Sequence, residues 1–169
     1  MLFRSRRIRG MVRQGSGLAE RFGADELVDT VLGWLKPEIT ARRVRIARAL
    51  PADLPPLLAD RVLAEQLLLN LVLNALQALE GQPAERRRIE LSARVDGARL
   101  LFSVADHGPG VAPAHAEQLF APFFTTKAEG LGLGLKICRS IAEAHGGALN
   151  WPPREGGGAV FEFSLPLAP

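Results

Sequence analysis

The 169-residue sequence has no tyrosine and few aromatics of any kind (6%), so its core has to be built mainly from aliphatic side chains and eight phenylalanines. A single cysteine, Cys138, excludes an internal disulfide and fits a reducing compartment. No apolar run approaches the ~20 residues that span a bilayer, and Met-Leu-Phe-Arg-Ser-Arg-Arg at the start does not read as a signal peptide. The expectation is a cytoplasmic, soluble domain, which leaves open an anchor elsewhere in a longer parent. Charge of either sign is not in large excess. The net is +3, and five arginines (Arg4, Arg6, Arg7, Arg9 and Arg13) fall in the first fourteen residues, where there is no acid. The remainder is slightly acidic, so the high pI is a property of one end and is poor support for a nucleic-acid surface. Arg86-Arg87-Arg88 lies between a helix and a strand and reads as a solvated turn.

What is present is an apolar content of 47%, enough for the core of one domain. Residues 1–14 read as the end of a basic helix, broken at Gln14-Gly15-Ser16-Gly17. Leu27, Val28, Val31, Leu32, Leu35 and Ile39 recur at helical spacing over 24–41, with Pro37 predicting a kink or an early stop. Val44 and Ile46 alternate with arginines as a half-buried strand, and 51–56 reads as a loop. Asp60 is placed to cap a helix reaching about Glu80. Residues 89–95 and 99–105 read as a hairpin turning at Asp96-Gly97. A loop-rich stretch over 106–131 follows. Then comes a helix over 133–145 stopped by Gly146-Gly147, and a final pair of strands, 148–151 and 159–165, around Gly156–Gly158. This order predicts an α/β (α+β) two-layer sandwich: a mixed, largely antiparallel sheet of about five strands with three main helices on one face.

Four segments carry candidate chemistry. Asn70 and Asn74, at i and i+4, share one face of the 60–80 helix amid Leu and Val. Buried amides are costly unless bonded. They serve either as a polar pair tying loops to the core or as oxygen ligands for a hard cation such as Mg²⁺, which often shares ligands with phosphates. Asp106-His107-Gly108-Pro109-Gly110-Val111 ends the second hairpin strand. Its carboxylate can accept a bond from an exocyclic amine beside backbone able to approach a flat ring, although Asp-x-Gly-x-Gly is also a common turn. Phe120-Ala-Pro-Phe123-Phe124-Thr125-Thr126-Lys127 reads as a loop pinned to the core, whose last three residues are able to meet phosphate oxygens. Gly130-Leu131-Gly132-Leu133-Gly134-Leu135 runs into the last helix, where free amides and the helix dipole favour an anion. The glycine pattern is neither a Rossmann fingerprint nor a Walker loop.

Taken together, in this order and spacing, the four segments resemble the N, G1, F and G2 boxes of the nucleotide-binding fold shared by histidine kinases, Hsp90-type chaperones, type II topoisomerases and mismatch-repair ATPases (the GHKL or Bergerat fold). The resemblance covers roughly residues 20–166. Phe-Phe-Thr-Thr-Lys, then Gly-x-Gly-Leu-Gly-Leu, then His145-Gly146-Gly147 is similar to the catalytic and ATP-binding domain of bacterial sensor histidine kinases. Gln77 and Ala78, where many relatives have Lys and Tyr, resemble the nitrogen- and dicarboxylate-sensing branch.

The resemblance implies ATP and Mg²⁺ as ligands. Asn74 would bind the metal and Asn70 would sit beside it in the phosphate site, the two forming the catalytic pair. Asp106 would accept from the adenine amino group. The remaining ATP-binding positions would be Gln77, Gly108, Gly110, Val111, Phe120, Thr126, Lys127, Gly130, Leu131, Gly132, Leu133, Gly134 and Leu135. The family's ATPases resemble one another in carrying a Glu where this sequence has Asn70, and an amide is no general base near neutral pH. Phosphoryl transfer rather than hydrolysis is therefore expected, with a nucleotide-binding scaffold that transfers nothing as the alternative. None of His107, His115 and His145 lies on a long helix followed by Glu, as the family's phosphoacceptor does. The acceptor is expected on a separate dimerisation domain of the same parent kinase, with a response regulator further downstream. Residues 1–17 would be a remnant of that dimerisation helix and linker, and residues 18–169 the catalytic domain. The isolated domain is expected to be monomeric, with no nucleic acid and no direct membrane contact.

Overall fold

The computed structural model describes residue 15 and residues 17–110, 134–154 and 156–169. The expected basic helix at 1–14 and the segment from Val111 to Leu133 lie outside them. The elements are β1 (Glu20–Phe22), α1 (Ala24–Ala41), β2 (Arg45–Ala49), β3 (Leu57–Ala59), α2 (Arg61–Ala78), a 3-10 turn (Ala84–Arg86), β4 (Arg88–Asp96), β5 (Arg99–Asp106), α3 (Gly134–Ala144), β6 (Leu149–Asn150) and β7 (Ala159–Pro166).

Five strands form one mixed sheet in the order β2-β4-β5-β7-β6, in which β2 runs parallel to β4 and the remaining pairs are antiparallel. Alternation decides which face is covered. In β4 the buried residues are Ile89, Leu91 and Ala93, and in β7 they are Ala159, Phe161, Phe163 and Leu165. The register carries those positions across the sheet: Leu91 faces Val104, which faces Phe161, and Ala93 faces Phe102, which faces Phe163. The Phe102 and Phe163 rings stack at 4.9 Å with 6° between their planes, a cross-strand pair that locks this register. The helices cover this one face, giving the expected α/β sandwich.

Helix α2 is the central element. Eleven of its residues are buried, including the polar Glu65, Gln66 and Asn70, because it packs between the sheet and both other helices. Asp60 caps it as expected, its Oδ1 accepting from Leu63 N at 3.2 Å. The same residue ties in two other parts of the chain. Its Oδ2 accepts from Gly17 N at 2.9 Å, and its own N–H donates to Nε2 of His145 at 3.2 Å. Asp60→Ala is expected to lower stability by about 1–2 kcal/mol, the upper range for a lost helix cap, readable as a fall in the urea midpoint.

The structure departs from the sequence reading in two places. Helix α1 runs through Pro37 to Ala41 without the expected early stop. Only one intrahelical bond is lost, to the carbonyl of Gly33, a residue with open space around it. Strands β1 and β3 form a separate antiparallel pair that the sequence did not suggest, each three residues long and held by buried Phe22, Leu57 and Ala59. The last helix ends as foreseen. Gly146 has φ +76°, with Gly147 N bonded to Ala142 O and Gly146 N to Glu143 O, both at 3.0 Å, as in a Schellman cap.

Candidate nucleotide site

Asn70 and Gln66 stand one turn apart on α2, each 3% exposed. Oδ1 and Nδ2 of Asn70 and Oε1 of Gln66 are buried with no hydrogen-bond partner among the described residues. An orphaned buried amide costs about 1–3 kcal/mol. Such groups are rare in native proteins, and a catalytic role or a bound ion or water is among the things that account for them. Asn74 follows on the same face, half-buried, and Gln77 lies near the helix end, also half-buried. Gln66 was not singled out from sequence. The available signal was its position four residues before Asn70, which extends the polar stripe by one turn.

Helix α3 lies antiparallel beside α2. His145, just past its end, meets Asp60 at the start of α2. Seven residues along α2 and seven back along α3, Cys138 Sγ approaches Leu67 O at 3.6 Å. Continuing the same register sets Gly134 and Leu135, the first turn of α3, level with the Asn70–Asn74 stretch. Burial pushes the Cys138 thiol up to about 12. A smaller opposing influence comes from the neighbouring Asn70 amide, whose contact with the sulfur falls short of hydrogen-bond geometry. The thiol stays protonated and serves as packing.

Asp106 ends β5 and is 2% exposed, with Oδ1 accepting from Gly108 N at 2.9 Å. A Cβ on Gly108 would come within 2.6 Å of Ala78 O, so this glycine lets the turn close onto the end of α2. Gly110 has φ +80°, and its added Cβ would lie 2.9 Å from Gly158 O. Both glycines were expected to make room for a flat ring. The approaches found at them are to backbone of α2 and of the β6–β7 connection. The turn is also held by arginines. Arg154 Nη1 donates to Asp106 O at 2.9 Å, and Arg86 Nε donates to His107 O at 2.9 Å. Nη2 of Arg154 lies 3.4 Å from Glu90 Oε2 and 3.3 Å from His107 Nε2.

Both described histidines are engaged in structure. His145 pairs Nδ1 with Ile141 O at 2.9 Å, so Nδ1 carries the proton and Nε2 accepts from Asp60. His107 sits between Glu90 and Arg154. Among the expected site residues, Asn70, Asn74 and Gln77 lie on α2, the turn that runs from Asp106 through Gly108 closes onto the end of α2 at Ala78, Gly110 meets Gly158, and Gly134 and Leu135 begin the neighbouring helix α3. Val111, Phe120, Thr126, Lys127, Gly130, Leu131, Gly132 and Leu133 lie outside the described residues, as does His115. None of the described helices is long and apolar enough to cross a membrane.

Residues 59–169 match the family described as histidine kinase-, DNA gyrase B- and HSP90-like ATPase. The chain is 37% identical over 162 residues to the C4-dicarboxylate transport sensor protein DctS of Rhodobacter capsulatus, covering 96% of this chain and 25% of DctS. It is 36% identical over 141 residues to the sensor histidine kinase ZraS of Escherichia coli K12, covering 83% of this chain and 30% of ZraS. The chain therefore spans between a quarter and a third of the length of these relatives. Among solved structures, the catalytic domain of histidine kinase ThkA superposes with a TM-score of 0.76 at 32% identity, over 88% of this chain and 95% of that one. Full-length ShkA in complex with AMPPNP gives 0.78 at 32% identity, over 99% of this chain and 36% of that one. ThkA in complex with the response regulator TrrA gives 0.74 at 31% identity, over 89% and 42%. The chain belongs to the histidine kinase-, DNA gyrase B- and HSP90-like ATPase family, and within it is homologous to the catalytic domains of sensor histidine kinases.

Proposed function

We propose that residues 18–169 bind Mg²⁺-ATP along the polar face of α2 and pass the γ-phosphate to a histidine on a separate dimerisation domain of the parent kinase. The observation that carries this reading is the buried Asn70 amide and the buried Gln66 Oε1, which have no hydrogen-bond partner among the described residues, in a helix otherwise packed with Leu and Val. Oxygen-donating amides fit Mg²⁺, which takes hard ligands and shares them with phosphates. Asn74 would hold the ion and Asn70 would stand beside it. Bound there, Mg²⁺ supplies charge neutralisation for the transferring phosphoryl group.

The chain's own residues do the rest by positioning. The first amides of α3 and the glycines that precede it in the sequence would offer N–H donors to phosphate oxygens. Thr126 and Lys127 would add contacts from the preceding segment, and Gln77 would stand toward the phosphates, with Ala78 toward the base. The Asp106 carboxylate, an acceptor with no proton to give, would take a bond from the adenine amino group. Asn70 cannot activate water as a carboxylate would, which favours transfer over hydrolysis. The engaged states of His107 and His145 support an acceptor supplied from outside. The ThkA complex with TrrA supports a response regulator as the downstream partner. Residues 1–17 would then be the end of the dimerisation helix and its linker.

Calorimetric titration with a non-hydrolysable ATP analogue tests the site. Micromolar or somewhat weaker binding that strengthens with Mg²⁺ is expected. Binding indifferent to Mg²⁺ would remove the metal role from Asn74. In the same titration Asp106→Asn should cost about 1–3 kcal/mol, because an amide presents NH₂ where only an acceptor serves. Unchanged affinity would leave Asp106 as a turn residue alone.

A further inference from the structure

We propose that Arg154, from the connection between β6 and β7, is a positioning residue for base recognition. It acts by holding the backbone of the Asp106 turn, with Arg86 as its counterpart on the next residue. This rests on the reading of Asp106 as the adenine acceptor.

The support is geometric. Arg154 keeps only 17% of its side chain exposed, against 53% for the surface Arg139. It spends one Nη on Asp106 O at 2.9 Å and the other on Glu90 and His107. Arg86, from the 3-10 turn, takes the carbonyl of His107 at 2.9 Å. The two carbonyls at the end of β5 are therefore each held by a guanidinium from a different loop. Gly158 closes the remaining side: a Cβ there would fall 2.0 Å from Asp106 O. Inside the turn, the carboxylate is bonded to Gly108 N. A buried acceptor discriminates only if its oxygens are aimed before the ligand arrives, and supporting contacts fix that aim. Glu90 lies 3.4 Å from Arg154 and balances its charge, so the clamp can sit by the turn without setting an unopposed cation next to Asp106. Neither arginine belongs to the four motifs that mark the site in the sequence.

The test compares Arg154→Ala, Arg154→Lys and Asp106→Asn in the whole chain. Binding of a non-hydrolysable ATP analogue, of the corresponding inosine nucleotide, and of tripolyphosphate is measured, each with Mg²⁺. Inosine lacks the exocyclic amine. Arg154→Ala is expected to weaken the adenine nucleotide about tenfold, to leave inosine nucleotide and tripolyphosphate unchanged, and so to shrink the adenine preference. Arg154→Lys should recover part of it. Equal weakening of all three ligands would overturn the proposal, since a merely structural role moves them together. Full adenine preference in Arg154→Ala alongside a loss in Asp106→Asn would also overturn it, while keeping Asp106 as the acceptor. Full preference in both variants would remove the reading of Asp106 and the proposal with it.

Discussion

Asn70→Leu is expected to yield a domain that is more stable and almost inactive. The two outcomes come from the same atoms. Oδ1 and Nδ2 of Asn70 are buried without partners among the described residues, in surroundings that include Leu67 and Cys138. Replacing an unsatisfied amide with an apolar group of similar shape removes a desolvation penalty, and stability should rise by about 1 kcal/mol. The urea midpoint should move up with the slope unchanged. Removing a preorganised polar group from a site of developing charge commonly costs about 10²–10³ in rate, so phosphotransfer should fall at least a hundredfold. A variant that loses stability and keeps its activity would mean that Asn70 is a structural residue.

The second large effect is expected at Gly158. It has φ +85°, which an L side chain rarely adopts, and its missing Cβ would lie 2.0 Å from Asp106 O. Ala at this position must both strain the backbone and push the β6–β7 connection off the end of β5. The cost should be about 3–5 kcal/mol, in the range of severe clashes. Gly156 provides the control. Its φ is +82°, nearly the same, but nothing lies within 4 Å of the added Cβ. Gly156→Ala should therefore cost only about 1–2 kcal/mol, the conformational part alone. Equal losses in the two variants would show that the close approach to Asp106 contributes nothing. Nucleotide affinity should fall along with stability in Gly158→Ala, because the displaced connection packs against the Asp106 turn.

Much of this was legible in the residues. The cap at Asp60, the turn at Gly97 and the Gly146 stop have local chemical causes, so a short stretch of sequence carries them. Asn70 and Asn74 were visible because two amides on one apolar helix face demand a reason. What escaped depends on contacts between distant segments. β1 and β3 are too short to show alternation, and they exist because Phe22, Leu57 and Ala59 find a common core. Arg154 follows two prolines in a loop and looks like any solvated arginine until β7 brings it beside Asp106. Gly108 and Gly110 were read as making room for a flat ring, and sequence alone did not say which backbone approaches them. At Gly108 it is the end of α2, and at Gly110 it is Gly158. The continuation of α1 past Pro37 is a similar case, since one lost bond near a helix end weighs little against the buried Leu27, Val28, Val31 and Leu35.

The most direct test mixes this chain with a separately produced, histidine-bearing dimerisation domain from the same parent kinase, in the presence of Mg²⁺ and γ-labelled ATP. Label should appear on the added domain as an acid-labile phosphohistidine, only when that domain is present, with little free phosphate released without it. Sustained phosphate release by the chain alone, with no label on the acceptor, would contradict assignment as a phosphotransfer domain and indicate a hydrolytic member of the same family.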